Sequence, residues 1–424
     1  MSKQIGAILF IFLCTSGAWF LLGGVTSQRT EQQNSKLRQA VGQLWGTKQK
    51  QFAPVVSYEP ISYCRNENKS TDSVFEYYYK YNSVLIPLES SAVNVDVELT
   101  HRKKGLLWYP TYRSAFTGTY TIKNDLDESK DIHMLYRFPN KDGKYDNFSL
   151  LVNGEAVDDY SPSKGELQHS MSFAPNETKT IEIAYVTQGM EEWWYLFGSE
   201  VTRLKKFELV MTTNFDNIDF PDNSISPTAM QKRENGWELR WKYDSLISGI
   251  QVGMVMPQKL NPGPFVSRLS FFAPVSLFLF LFLMFIITTV RKIDIHPMNY
   301  FFISASFFSF HLLLAYLVDH INLHLAMLIC SFVSLFLVIS YMKVVIGIKF
   351  ALKEVGLSQL VYLVFFSYAF LWEGFTALAV TLCCIITLYI VMRATAKFNW
   401  QEHFKRAKRE IVPPPLPPRP FSSR

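Results

Sequence analysis

The chain has 424 residues, of which 49% are hydrophobic, 15% are aromatic and only 18% are charged. This balance is too apolar and too rich in Phe for an ordinary soluble protein. The formal net charge is +6, with the basic excess at the C-terminal end. Such an excess beside apolar segments is typical of the cytoplasmic flank of a membrane protein, so it does not imply nucleic-acid binding.

The N-terminal segment is an apolar run from Ile5 to Val25, which is about the 20 residues of one membrane span. It ends without a clear small-x-small cleavage site, so we predict an uncleaved membrane anchor over residues 1–26. Gly23-Gly24 leaves a cleaved signal peptide open as the alternative. Residues 27–51 are polar with apolar residues at helical spacing, which predicts a helical stalk.

Residues 52–265 have the pattern of a β-rich domain. Short runs of β-branched and aromatic residues alternate with turn signals, and the period of two predicts strands with one buried face. Asn153-Gly154 and Asn235-Gly236 are hairpin signals, because both residue types tolerate positive φ. We predict an all-β, sandwich-like domain. Its only cysteine is Cys64, so it must fold without an internal disulfide.

Residues 267–393 are predicted to form a bundle of five further membrane spans, at 269–290, 298–318, 323–341, 357–371 and 375–392. The loops rich in Lys and Arg are 291–297, 343–356 and the tail. With a cytoplasmic N-terminus all three fall inside the cell, as the positive-inside rule requires. We therefore predict cytoplasmic termini, and a β-rich domain that lies outside together with loops 319–322 and 372–374.

The tail, residues 394–424, is basic and then rich in proline. Its first part is predicted to be a short amphipathic helix on the inner membrane surface. The proline run matches a PxxPxR pattern that SH3 domains bind, and it equally fits a disordered terminus.

Four polar residues in or beside the predicted spans are candidates for function: Asp319, His320, Glu373 and His311. Asp319-His320, with a second histidine four residues on, fits either a metal or proton site or an interfacial turn. His311 lies inside a span, where a polar side chain is costly. It fits a hydrogen bond between helices, and the alternative is a proton relay or substrate contact. Glu373 is placed to pair with His320 if the two hairpins pack together.

Enzyme signatures are absent from the sequence, which has no GxSxG, P-loop, HExxH or GxGxxG motif. We therefore predict no catalytic residues, no cofactor and no metal site.

Several motifs resemble the CreD family of bacterial inner-membrane proteins. They are His296-Pro297-Met298-Asn299-Tyr300, the run from Leu312 to Ile321, Ser340-Tyr341 and Asn399-Trp400. The family's Ser-Glu-His is here Val318-Asp319-His320, and its closing Asp-Trp is here Asn399-Trp400. The Ser and the Asp of that pattern are therefore missing.

This resemblance implies a multi-pass protein of the Gram-negative inner membrane with a periplasmic domain and a link to envelope integrity and stress. It implies a special role for the carboxylate-His pair, and it marks His296, Pro297 and Tyr300 as family positions. We predict a non-enzymatic protein that contacts the lipid bilayer, and whose β-rich domain binds or senses another envelope protein or a cell-wall component. The alternative is a transporter or lipid-handling protein that uses the polar residues of the spans.

Overall fold

The structure is a computed structural model that describes residues 2–60, 85–158, 160–163, 165–198, 202–372 and 374–396. Glu373, Cys64 and the tail from residue 397 lie outside the described residues, and the predictions on them stay predictions. The chain divides into two compact units. Met1–Gln33 and Asn261–Arg424 form the helical unit, and Asn34–Leu260 form the sheet-rich unit.

Six described helices are long and apolar enough to cross a membrane. They are α1 Ser2–Trp45, α2 Pro262–Val290, α3 Pro297–Leu317, α4 Leu323–Val345, α5 Ile348–Ala369 and α6 Thr376–Thr395. Each is at least as long as the roughly 20 residues that span a hydrocarbon core.

Helix α5 begins nine residues earlier than predicted, so most of the expected loop 343–356 is helical. The polar residues Lys349, Lys353 and Glu354 suggested a loop in the sequence. In the structure Glu354 accepts a hydrogen bond of 2.5 Å from Arg291, so its charge is paired on the helix. The break before α5 falls at Gly347, whose φ of 120° suits glycine.

Two stretches of α5 are π-helical, Ala351–Gly356 and Leu360–Phe365. Polar groups of neighbouring helices contact this part of α5. Gln359 is fully buried and donates to Ser334 Oγ at 2.7 Å, and Ser276 donates to the carbonyl oxygen of Tyr362. The hydrogen-bond pattern of a π-helix is less favourable than that of an α-helix, and these polar contacts offset part of its cost.

The sheet-rich unit contains fifteen described strands. They are β1 Gln49–Phe52, β2 Val55–Ser57, β3 Ser90–Lys104, β4 Leu107–Lys123, β5 Lys130–Arg137, β6 Tyr145–Val152, β7 Glu155–Ala156, β8 Ser161–Ser163, β9 Glu166–Phe173, β10 Thr178–Met190, β11 Glu192–Leu196, β12 Thr202–Thr213, β13 Ala229–Lys232, β14 Trp237–Ser248 and β15 Val252–Val255.

These strands form three sheets. The largest has eight strands in the order β13-β14-β12-β3-β4-β10-β6-β7, and only β12 and β3 pair in parallel within it. A four-stranded sheet has the order β2-β5-β9-β8, and a three-stranded sheet has the order β1-β11-β15. The alternation predicted from the sequence is visible in β3, where Val93, Val95 and Val97 are buried and the residues between them are exposed. All three sheets contribute to one hydrophobic core.

Both predicted hairpin turns are present. Asn153 and Gly154 have φ values of 51° and 84° and connect β6 to β7. Gly236 has a φ of 97° and precedes β14, where the amide of Arg233 donates to its carbonyl oxygen at 3.0 Å. Positive φ explains both residues of the first pair and the glycine of the second.

Helix α1 is continuous through the point where the two units divide. The predicted anchor and helical stalk form one helix that ends at Trp45, and only the end of the predicted stalk differs, because residues 49–51 belong to strand β1. Gln49 favoured a polar stalk in the sequence. In the structure its side-chain amide donates to the carbonyl oxygen of Gln188 at 2.9 Å, which explains why a polar residue is buried there.

The last three turns of α1 pack within the sheet-rich unit. Tyr109 donates to Asn34 Oδ1 at 3.0 Å, and the guanidinium of Arg102 lies 3.4 Å from the ring centre of Trp45. Arg38 forms an ion pair with Glu191. Glu191 has a φ of 72°, an uncommon conformation for a residue with a side chain. These contacts join the end of α1 to strands β3 and β4 and to the turn before β11.

Candidate functional site

Asp319 lies at the end of α3, and its partner is Arg29 of α1. Arg29 Nη2 lies 2.5 Å from Asp319 Oδ2, and the same nitrogen donates to the carbonyl oxygen of Ala315 at 3.3 Å. The guanidinium also lies 5.6 Å from the ring centre of Tyr316. Both charged side chains are only partly exposed. The pair therefore ties the middle of α1 to the end of α3.

His320 is exposed in the turn between α3 and α4, where its amide donates to the carbonyl oxygen of Leu317 at 3.0 Å. Asn322 begins α4, because its Oδ1 accepts from the amide of Leu325 at 2.9 Å. His324 is exposed and its ring stacks on Tyr368 at 6.4 Å. Within the described part of the chain the structure shows no bond between Asp319 and His320. The turn is capped by Asn322, and the carboxylate of Asp319 is directed to Arg29 instead.

His311 is almost completely buried in α3, two turns before Asp319. Its ring meets Trp19 of α1 edge-on at 5.6 Å and Phe310 at 5.0 Å, and it lies 6.2 Å from the ring of Phe307. Nδ1 of His311 has no hydrogen-bond partner among the described residues. The hydrogen bond predicted between helices is thus not seen at Nδ1, and aromatic contacts surround the imidazole.

Helices α1 and α3 run parallel and share a seam, which we call the α1–α3 seam. On α1 it contains the buried Trp19 and the partly buried Arg29. On α3 it contains Ser304, Phe307, His311, Ala315 and Asp319. The spacings of three and four residues place the α3 set on one helical face. Trp19 contacts Phe307 and His311, and Arg29 contacts Ala315 and Asp319.

Three polar atoms of this seam, Trp19 Nε1, Ser304 Oγ and His311 Nδ1, are buried without a hydrogen-bond partner in the described chain. Burying a polar group without a partner is costly, and a membrane interior offers no bulk water as a substitute.

The family positions have structural roles at the other end of α3. His296 precedes the helix, and its Nδ1 accepts from the amide of Met298 at 3.2 Å. Pro297 occupies the first turn, where its missing N–H is not needed. The hydroxyl of Tyr300 lies 3.2 Å from Thr288 Oγ1 of α2.

Two separate family motifs meet in the fold. Tyr341, from the Ser340-Tyr341 motif, donates to Asn299 Oδ1 of the first motif at 2.7 Å. This bond connects α3 to α4, beside the Tyr300 contact to α2. The shared motif residues thus begin α3 and hold three helices together.

Arg29 is the site residue that the sequence did not reveal. Its only signal was a cation four residues after the apolar run of the first span, which sequence reasoning assigned to the stalk. Nothing local connects it to Asp319, since 290 positions separate the two. No group of three or more His, Cys, Asp or Glu side chains suited to a metal ion is found among the described residues.

Comparison with solved structures gives only distant likenesses. A putative nutrient binding protein from Legionella pneumophila has 12% identity and a TM-score of 0.35, and the match covers 55% of this chain and 76% of that one. An M1 zinc metallopeptidase from Deinococcus radiodurans has 11% identity and a TM-score of 0.27, with coverage of 40% and 42%. Neither likeness carries an argument about function.

The curated proteins gave no significant match to this chain. A family model described as "Inner membrane protein CreD" matches residues 220–401. This range contains α2 to α6, the Asp319-His320 pair and the motifs at 296–300 and 340–341. The resemblance to the CreD family of inner membrane proteins, predicted from those motifs, is therefore confirmed over residues 220–401.

Proposed function

We propose that this protein is a multi-pass, CreD-like inner-membrane protein without enzymatic activity. Its sheet-rich unit faces the periplasm and binds or senses another envelope protein or a cell-wall component. It thereby supports envelope integrity or the response to envelope stress. We propose six membrane spans, with both termini in the cytoplasm.

The distribution of charge supports this orientation. Arg291 and Lys292 follow α2, Lys343 lies in the last turn of α4, and Arg393 lies in the last turn of α6. With six alternating spans all of these ends face one side, and cations concentrate on the cytoplasmic side of membrane proteins. Asp319 and Arg29 then lie at the periplasmic ends of α3 and of the apolar part of α1.

The observation that carries the proposal is the continuity of α1. One uninterrupted helix begins as an apolar segment that packs on α3 and ends as a polar segment that packs on β3 and β4. A helix transmits displacement along its axis better than a flexible linker does. We propose that binding to the sheet-rich unit is signalled to the helical unit through α1.

A helix breaker in the exposed part of α1 tests this proposal. Gln33→Pro removes one backbone hydrogen bond and kinks the helix, at a cost of about 3 kcal/mol. We expect the variant to accumulate in the membrane at the normal level but to fail to restore detergent resistance in a strain that lacks the gene. Gln33→Ala keeps the helix and is the matched control.

Full complementation by Gln33→Pro, at equal protein level, would show that α1 does not couple the two units. Sidedness is measured separately with a reporter fused after Arg393. A reporter that is active only in the periplasm should be inactive when it is fused at this position. Activity of this fusion would reverse the proposed orientation.

The transporter alternative rests on a different observation, the polar groups buried in the helical unit. Gln359 Oε1 and His311 Nδ1 are both without a partner in the described residues. Counterflow of a labelled solute in vesicles with the purified protein is the measurement that would favour this alternative.

A further inference from the structure

The hairpin of β3 and β4 extends beyond the sheet to which it belongs. Strand β12 pairs with β3 only as far as Val97, and β10 pairs with β4 only from Thr111 onward. The pairing of β3 with β4 continues to Lys104 and Leu107 at the turn. Residues 98–110 therefore form a two-stranded ribbon, the β3–β4 arm, which is about 20 Å long at about 3.3 Å per residue.

One face of the β3–β4 arm packs on α1. Leu107 and Tyr109 belong to a small buried cluster with Val41 of α1. Arg102 is the cross-strand partner of Tyr109, and its guanidinium lies over the ring of Trp45 on the same helix. This contact restricts the rotamers of an exposed arginine, so less side-chain entropy is lost when it binds an anion.

The other face of the arm holds the segment that leads into α2. The ammonium of Lys259 lies 4.5 Å from the ring centre of Trp108, and His101 Nε2 lies 2.9 Å from the carbonyl oxygen of Pro257. Lys259 is three residues before Pro262, where α2 begins. Three residues of chain span at most about 10 Å, so Lys259 is close to the start of α2 by covalent connection alone.

Helix α2 has the length of a whole bilayer. Its 29 residues extend about 43 Å at about 1.5 Å per residue, and a bilayer with its headgroups is about 40–45 Å thick. As one of the proposed membrane spans, α2 therefore begins at the level of the headgroups. Lys259 is then within about 10 Å of the lipid phosphates, which is about one Debye length at 0.1 M salt.

Positive charge is concentrated at the end of the arm. Arg102, Lys103 and Lys104 are consecutive, and Lys259 lies beside Trp108, the cross-strand partner of Lys103. The sequence has no Asp or Glu between positions 99 and 112. None of the ion pairs between described residues includes any of these four cations. A group of like charges without partners in the described chain suits an anionic surface.

We propose that the β3–β4 arm binds the phosphate headgroups of anionic phospholipids, such as phosphatidylglycerol, at the membrane surface beside α2. Cations near an anionic bilayer are attracted to it over about a Debye length, and Trp is enriched at this depth, where Trp108 fits. This inference rests on the proposed membrane span of α2. It depends neither on the proposed sensing function nor on which side of the membrane the arm lies.

The lipid selectivity of the full-length protein tests this proposal. The protein is purified in detergent and titrated with phosphatidylglycerol or with phosphatidylcholine, which has no net charge, and bound lipid is counted by native mass spectrometry. Lys103→Gln/Lys104→Gln removes two charges of the arm and keeps both ring contacts. At about fivefold per cation, this variant should bind phosphatidylglycerol at least about tenfold more weakly and phosphatidylcholine equally well.

The matched control is Lys130→Gln/Arg203→Gln, which removes two exposed cations outside the arm. Other cations of the chain also attract phosphatidylglycerol, so the difference between the two double variants is the diagnostic quantity. Equal affinities of these variants for phosphatidylglycerol would overturn the proposal. Binding of inorganic phosphate that requires Lys103 and Lys104 would also overturn it, because the arm would then be a site for soluble phosphate.

Thermal unfolding without added lipid checks that the arm variant is folded. If it is not, Lys259→Gln tests the opposite face of the arm, with an expected loss of about fivefold in affinity for phosphatidylglycerol and the same contradicting outcome. Failure of the lipid proposal leaves the proposed sensing function intact, since Gln33→Pro tests that function through α1 and by a different readout.

Discussion

Arg29 gives Asp319 a partner that its sequence neighbours do not supply. The sequence grouped Asp319 with His320 and suggested Glu373 as a partner of His320, because only local spacing and loop order could be evaluated. The structure directs the carboxylate across the helix interface to α1 instead. His311 was recognised as a buried polar residue, but its aromatic surroundings depend on Trp19, from a segment almost 300 positions away.

Removing either charge of this pair should weaken the attachment of α1 to α3. Since both side chains are partly exposed, we expect a coupling energy of only about 0.5–1 kcal/mol. A double-mutant cycle of Arg29→Ala and Asp319→Ala, measured by thermal unfolding of the reconstituted protein, gives this value. Strictly additive effects of the two changes would contradict the ion pair.

Glu192 should make the sheet-rich unit sensitive to acid. Partial burial acts to raise the pKa of Glu192, but hydrogen bonds from Lys48 and Trp194 outweigh it and hold the pKa below its ordinary value of 4.5. The folded state therefore releases this proton more readily than the unfolded state. Its stabilisation is complete above about pH 4.5 and is lost as the pH falls through the folded pKa.

We expect Glu192→Gln to lower stability at neutral pH and to flatten the acid side of the stability profile. Thermal unfolding as a function of pH measures both effects. Glu155→Gln changes an exposed carboxylate and is the control. An unchanged acid limb in Glu192→Gln would show that other groups govern the acid response.

At the scale of the elements, short sequence patterns predicted the features that depend only on neighbouring residues. The Asn-Gly turns, the Pro at the start of α3 and the alternating burial of β3 all follow from short stretches of sequence. The extent of α5 did not follow, because Glu354 is paired by Arg291 from 63 positions away. The sheet order, including the parallel pairing of β12 with β3, also depends on contacts that no local pattern encodes.

The two hairpin glycines should differ in their tolerance of substitution. Both have positive φ, but a Cβ on Gly154 meets nothing within 4 Å, whereas on Gly236 it would lie 2.0 Å from the carbonyl oxygen of Thr213. Gly154→Ala should cost about 1–2 kcal/mol from backbone strain alone. Gly236→Ala should cost clearly more, measured as the loss in unfolding free energy, and equal losses would contradict the close approach.

At the scale of the whole molecule, composition was sufficient to predict apolar spans beside a large sheet-rich unit, because burial and lipid exposure act on many residues at once. The family motifs were sufficient to predict the CreD resemblance over the C-terminal part. Individual residues could not show that α1 would be one helix that contributes to both units. A polar stalk and the continuation of a span look alike in sequence, and only the contacts of Asn34 and Trp45 distinguish them.

The ion pair at the end of the seam also has a consequence for the order of folding. Arg29 leaves the ribosome 290 residues before Asp319, and strand β1 about 140 residues before its neighbour β11. Closing such long loops is slow, while local hairpins such as β3–β4 form early. Trp19 of α1 and His311 therefore remain apart until α3 has been synthesised. Assembly of the helical unit is complete only when its first helix meets its third.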